Sequence, residues 1–171
     1  MEAKLTTIFE NTNDWLKFAE AKSASLIALN GLAVFGILRV IKDIQLSDVM
    51  TVYVYAAIAQ ISLSALISLA SLIPSLEMPW LFKKQSPNPS DNILYFEHIA
   101  KHSEESYLAA LSKACEVNDR SFTPYERMLA DQIITNSVIA RRKFKLFKAS
   151  LWLLVSGIAT PVGAIVVFEV R

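Results

Sequence analysis

The chain has 171 residues, 53% of them hydrophobic, and its 17 basic and 16 acidic side chains leave a formal net charge of +1. Near-neutrality excludes a protein built to coat a nucleic acid polymer, and the single cysteine, Cys115, excludes an intrachain disulfide and a Cys-rich metal framework. So much apolar side chain in so short a chain favours one small membrane domain over two soluble ones.

The N-terminal lead carries acidic residues and has no short apolar core before a small-residue cleavage site, so it does not read as a signal peptide. Segment 11–14, Asn-Thr-Asn-Asp, offers several helix N-caps. Beyond it, Trp15, Phe18 and Ala19 fall on one side of a helix, with Lys17 and Glu20 away from them. The pattern predicts an amphipathic N-terminal helix within 1–22 that runs on into a first span over 23–41. That span reaches adequate length once Lys22 and Arg39 snorkel from its two ends. Ala21, Ala24, Ala28 and Gly31 lie at spacings of three, four and three, a stripe of small residues that lets another helix approach, within the subunit or between subunits.

A short polar turn around Lys42 to Asp48 makes the first two spans an antiparallel hairpin. The second span, 49–76, has no charged residue and exceeds a hydrocarbon core of about 30 Å at about 1.5 Å per residue. It is the clearest membrane-crossing stretch. Gln60, Ser64, Ser68 and Ser71 share one of its faces, which fits either hydrogen bonding between helices or a polar pore lining. Pro74, Pro79 and Trp80 mark an interfacial exit, and KKQSPNPSDN reads as a loop.

Residues 93–117 form a helix that Ser103, as a second N-cap, can break in two. Thr123, Pro124 and Glu126 then make a compact helix start, with a capping residue, proline at the first helical position and glutamate at the third. No stop signal follows, so that helix is expected to run past Arg141 and Lys148 into a third span, 149–168, with Trp152 near one interface and Pro161 as a kink. The expected fold is an all-α membrane protein: three transmembrane helices with a helical cytoplasmic insertion, 77–148, between the second and third. Lys83, Lys84, Arg141, Arg142, Lys143, Lys145 and Lys148 flank the insertion, against Arg39 and Lys42 on the hairpin turn. By the positive-inside rule the insertion and the N-terminus are cytoplasmic.

The basic cluster RRKFKLFK puts Arg141, Lys145 and Lys148 on one face and Phe144, Phe147 and Leu151 on another. It suits either a juxtamembrane anchor on anionic headgroups or a phosphate site for a charged ligand. His98 and His102 are spaced as a metal pair could be, but no third ligand accompanies them and no metal is expected. There is no Gly-rich phosphate loop, nucleophile elbow or HExxH, so neither an enzyme nor a cofactor protein is expected. The competing readings are a small membrane scaffold and a membrane enzyme using Glu97, His98 and His102.

AEAKSASLIALNGLAVFG at 19–36, LYFEHIAK at 94–101 and DQIITNSVIARRKFKLFKAS at 131–150 resemble, in order and spacing, the Pycsar-type transmembrane effectors of bacterial antiphage defence. Glu20, Lys22 and Ser23 occupy an acidic-x-Lys-Ala-like start, with serine in place of alanine. Phe96 and His98 match an FxHIA-like block, and Lys143 with Phe144 a Lys-aromatic pair before the last span. The resemblance implies an inner-membrane effector that senses a cyclic nucleotide, foremost a cyclic pyrimidine mononucleotide, made by a partner cyclase, and then disrupts membrane integrity, arresting or killing the cell. Its implied partners are that nucleotide, the lipid bilayer and further copies of the chain in a homo-oligomer. The ligand is expected at the cytoplasmic foot of the bundle, with Glu20, Lys22, Arg141, Lys143 and Lys145 around its phosphate, Tyr95, Phe96 or Phe144 as a stacking surface for its base, and His98 among the ligand-binding residues.

Overall fold

The computed structural model describes residues 1–42, 45–73, 86–117 and 121–168. Among these the chain forms only helices: α1 (Glu2–Ile41), α2 (Asp48–Leu72), α3 (Phe96–Ile99), α4 (Glu104–Ala114) and α5 (Pro124–Phe168). Three of them, α1, α2 and α5, are long and apolar enough to cross a membrane. The chain divides into two compact units, one of Met1–Ala19 with Pro74–Phe144 and the other of Glu20–Ile73 with Lys145–Arg171. The divisions fall inside α1 and α5.

Helix α1 begins about ten residues before the N-caps expected at 11–14. Leu5, Ile8, Thr12, Ala19, Ser23, Leu26 and Asn30 are all buried, at helical spacings that draw one continuous stripe along the forty-residue helix. That stripe continues upstream of the capping residues, so burial overrides their preference for a helix start. Thr12 turns its hydroxyl back onto the Ile8 carbonyl at 2.8 Å, and Asn13 accepts a hydrogen bond from Asn136 in α5 at 2.7 Å.

In the first unit Leu5 and Ile8 of α1 pack with Ile99, Tyr107, Leu108, Leu111, Ala130 and Ile133 as one core. Ser103 does break the 93–117 stretch: its hydroxyl accepts from the Ser106 amide while the Ser106 hydroxyl accepts from the Ser103 amide, a reciprocal cap for α4. At the start of α5 the Thr123 amide donates to Glu126 Oε2 at 3.0 Å and the Glu126 amide to Thr123 Oγ1 at 3.2 Å, as the sequence predicts. The helix then runs unbroken through Pro161 to Phe168.

In the second unit the buried positions of α2, Met50, Val54, Ala57, Ile61, Ser64, Ser68 and Ser71, alternate by fours and threes and form one seam. Ser47 caps the helix, accepting from the Met50 amide at 3.3 Å. The expected exit from the second span, with Pro74, Pro79, Trp80, Lys83 and Lys84, lies outside the described residues. Leu26, Ile61 and Leu154 bring α1, α2 and α5 together. The polar face of α2 is taken up by bonds between helices. Ser71 Oγ lies 3.0 Å from Ser23 Oγ, Ser64 and Ser68 Oγ lie 2.8 and 2.6 Å from Ser150 Oγ, and Gln60 accepts from Ser156 at 2.6 Å. Of the two sequence readings of that face, this structure shows hydrogen bonding between helices. The outward faces carry large apolar side chains such as Leu32, Phe35, Val52, Leu66 and Trp152, all more than 60% exposed, which only a bilayer or another apolar body would cover.

The stripe Ala21, Ala24, Ala28 and Gly31 points out of the subunit, and a Cβ at Gly31 would meet nothing within 4 Å. The close approach is made elsewhere. At Gly157 a Cβ would come within 2.8 Å of Ile61 Cγ1 and 3.2 Å of the Ala57 carbonyl oxygen, so α5 closes on α2 only because that side chain is missing.

Candidate functional site: a buried cationic and aromatic cluster

Helix α1 supplies Trp15 and Phe18, one turn apart. The short α3 and its lead supply Tyr95 and Phe96, and α5 supplies Phe144. All belong to the first unit. Trp15 is the hub: its ring centroid lies 5.3 Å from Phe96, 6.1 Å from Phe144, 6.2 Å from Phe18 and 6.4 Å from Tyr95. Phe96 stacks on Phe144 at 5.1 Å and 25°, and Tyr95 meets the His98 ring edge-on at 5.4 Å. Phe96 is buried, whereas Trp15 and Tyr95 are half-buried and Phe18 is 47% exposed, so the cluster has a filled interior and an open rim.

The cations follow directly on α5. Arg141, Arg142 and Lys143 are 5, 8 and 5% exposed, an unusual depth for three consecutive basic residues. Burial pulls the Arg141 guanidinium below its ordinary value, and the nearby Glu97 carboxylate opposes that shift. One guanidinium nitrogen of Arg141, Nη1, is buried with no hydrogen-bond partner among the described residues. Such a group carries a desolvation cost until an acceptor reaches it. Glu97 also accepts from the Tyr95 hydroxyl at 3.4 Å; burial of the phenol pushes its pKa up, and the Glu97 charge adds to the rise.

A polar staple holds the chain entering α3. Asp91 accepts from Lys101 Nζ at 2.7 Å and from the Asn88 amide at 2.8 Å, and His98 Nε2 is 3.8 Å away; the Lys101 bond is the main reason its carboxyl sits below the ordinary range. His98 Nδ1 accepts from the Asn92 amide at 2.8 Å, which leaves the proton on Nε2, facing Asp91. His102 turns elsewhere, to Ser106 Oγ at 3.2 Å, so the two histidines do not converge.

Of the residues expected around a ligand, the structure brings Tyr95, Phe96, His98, Arg141 and Lys143 into one unit. Glu20, Lys22 and Lys145 belong to the other. There Glu20 and Lys145 are exposed, and Lys22 Nζ lies 5.4 Å from the Phe147 ring centroid. The single basic face drawn through Arg141, Lys145 and Lys148 therefore divides: Arg141 is enclosed, and the other two are exposed. Sequence reasoning missed Trp15 as the hub, although its place beside Phe18 on an amphipathic face was the available signal. It also missed the Asp91–Lys101 pair and the burial of Arg142.

A family model described as Pycsar effector protein domain matches residues 4–169. The chain is also 29% identical over 136 residues to the Pycsar effector protein PtPycTM of Propioniciclava tarda. That alignment covers 77% of this chain, which spans 62% of the relative's length. No solved structure matches.

Proposed function

This chain belongs to the Pycsar effector protein domain family, and from that membership we propose that it is an antiphage effector of the bacterial inner membrane, which binds a cyclic nucleotide from a partner cyclase and then impairs the membrane. The three long apolar helices support the membrane part of this reading. The observation that carries the ligand part is Arg141 Nη1, buried without an acceptor among the described residues, in the same unit as the ring cluster. A cyclic phosphodiester is a singly charged anion with two free acceptor oxygens, which suits a guanidinium that lacks one partner. The half-buried rings of Trp15 and Tyr95 offer a base a stacking surface at the rim, since the Phe96–Phe144 interior is already filled.

In this proposal Arg141 and Lys143 supply the positive field, Tyr95 and Phe96 the aromatic wall, and His98 positions Tyr95 through the loop staple. The N-terminus and the first unit lie on the cytoplasmic side, where the nucleotide is made. A ligand shifts the protein toward a membrane-active state only by its differential affinity for that state.

The test is a thermal-shift screen of the detergent-solubilised protein with cyclic CMP, cyclic UMP, cyclic AMP and cyclic dinucleotides. A ligand at about 100 times its Kd adds about 2.7 kcal/mol to the folded state. The expected result is a rise with a cyclic pyrimidine mononucleotide that Arg141→Ala abolishes. If none of these nucleotides raises the transition temperature, the ligand reading fails and a scaffold without ligand becomes the better description.

A further inference from the structure

We infer that Ser137, one turn before Arg141 on α5, is a second donor to the ligand's phosphodiester, so that the serine hydroxyl and the Arg141 guanidinium each hold one of its two free oxygens. The inference rests on the nucleotide reading and extends its site to a residue outside both the basic run and the ring cluster.

Ser137 is fully buried, in the stripe of α5 that runs Ala130, Ile133, Ser137, Arg141. Its Oγ has no hydrogen-bond partner among the described residues. A helical hydroxyl ordinarily turns back on the carbonyl four residues before it, as those of Thr12, Ser25 and Thr160 do. Ser137 does not. Every other buried serine or threonine among the described residues, Thr12, Ser23, Ser64, Ser68, Ser71 and Ser150, is bonded to another residue. Alanine would fill position 137 without leaving a buried hydroxyl unpaired, so packing alone does not account for the serine.

Arg141 supplies the complementary observation. At a spacing of four on a helix, the two Cβ atoms stand about 5–6 Å apart on one face. Long helical side chains lean toward the N-terminal end, which for Arg141 is toward Ser137. Nη1 could donate to the serine oxygen, yet both atoms are buried and unpartnered, so the two do not satisfy each other. Glu97, whose carboxylate accepts from the Tyr95 hydroxyl, does not fill the place on Nη1 either. One anion with two acceptor oxygens satisfies two donors a turn apart, and a phosphodiester is such an anion. The free protein already carries the cost of keeping both donors from water, so their bonds to a charged oxygen form without a further desolvation penalty on the protein side. Both donors are enclosed in this state. An anion on them therefore selects a state in which the enclosing side chains have parted, which ties binding to a change of conformation.

The test combines thermal unfolding of the free, detergent-solubilised protein with calorimetric titration of cyclic CMP, cyclic UMP and the Rp and Sp phosphorothioates of each. Ser137→Ala should unfold at or above the wild-type midpoint, because it removes an unpaired buried hydroxyl, while its Kd rises about tenfold or more. Sulfur is the poorer acceptor, so in the wild type each thio isomer loses affinity at one of the two donors. In Ser137→Ala one isomer should lose that penalty relative to its parent nucleotide and the other keep it. A buried water between the two groups, or a serine that only packs, predicts a lower midpoint for free Ser137→Ala with affinity and both thio penalties unchanged, and that result overturns the inference while leaving the nucleotide reading. Since a lipid headgroup is also a phosphodiester, dihexanoyl phosphatidylglycerol is titrated alongside. Stabilisation by that lipid and by no nucleotide, lost in Ser137→Ala, keeps the Ser137–Arg141 pair and overturns the nucleotide as its ligand. A wild type that binds neither overturns both.

Discussion

Gly157→Ala tests the packing on which the membrane unit depends. The new methyl would sit 2.8 Å from Ile61 Cγ1, 3.2 Å from the Ala57 carbonyl oxygen and 3.4 Å from Gln60 Cβ. Ile61 is fully buried and packs with Leu26 and Leu154, so it cannot swing aside, and the Ala57 oxygen belongs to the backbone of α2. Relief requires the two helices to part by several tenths of an ångström. Overpacking of this kind costs about 1–3 kcal/mol. At roughly 2–4 °C per kcal/mol for a chain of this size, the midpoint in detergent should fall by roughly 2–12 °C. Gly163→Ala is the control, because nothing lies within 4 Å of a Cβ there and alanine has the better helix propensity, by up to about 1 kcal/mol. Thermal unfolding of both variants, followed by circular dichroism, decides the matter. A Gly157→Ala protein as stable as Gly163→Ala would refute the close approach of α5 to α2.

Ser150→Ala removes the hydroxyl that joins Ser64 and Ser68, and at about 0.6 kcal/mol per interhelical bond it should lower stability by about 1–2 kcal/mol in a denaturation series, with Ser25→Ala, whose hydroxyl bonds only its own helix, near neutral. Ser103→Ala removes the cap of α4 and should destabilise the first unit by about 1 kcal/mol, read as faster amide exchange in α4. Burial holds the His102 pKa below the ordinary 6.5, so as pH falls below that value the unfolded chain takes up the proton first. Stability of the first unit is thus full above pH 6.5 and declines from there down to the folded-state pKa; a His102→Gln protein whose midpoint falls just as steeply would assign the decline to another group. For topology, on a Cys115→Ala background a membrane-impermeant thiol reagent added to spheroplasts should label Ser47→Cys and spare Ser90→Cys, and the reverse pattern would invert the proposed orientation.

What the sequence made legible follows from whether the signal was local. The capping box at Thr123 and Glu126 and the break at Ser103 depend on residues three apart in the chain, and both form as read. The polar face of α2 is a periodicity, and periodicity shows which residues share a side but not what lies opposite; only the structure supplies Ser23, Ser150 and Ser156 as its partners. The start of α1 went wrong for the complementary reason. Asn11 to Asp14 carry strong local capping chemistry, but the buried stripe through Leu5 and Ile8 is a tertiary demand, and tertiary burial outweighs about 1 kcal/mol of cap.

Small residues misled in the same way. The Ala24, Ala28 and Gly31 stripe has the right spacing to admit a helix but faces outward in the subunit, whereas Gly157 has no patterned companion and still marks the tightest approach at any glycine. The candidate site shows the limit most sharply. A run of Arg-Arg-Lys ahead of an apolar span has the composition of a lipid anchor, whose cations reach outward to headgroups. In the first unit Arg141, Arg142 and Lys143 are instead enclosed, while Lys145 and Lys148, further along the same helix, are exposed. Enclosure of consecutive positions on one helix requires surroundings on several sides, and those come from segments distant in sequence. Under the proposed function the enclosed part of the run serves the ligand and the exposed part is left to headgroups, which divides the anchor and phosphate-site readings between different residues.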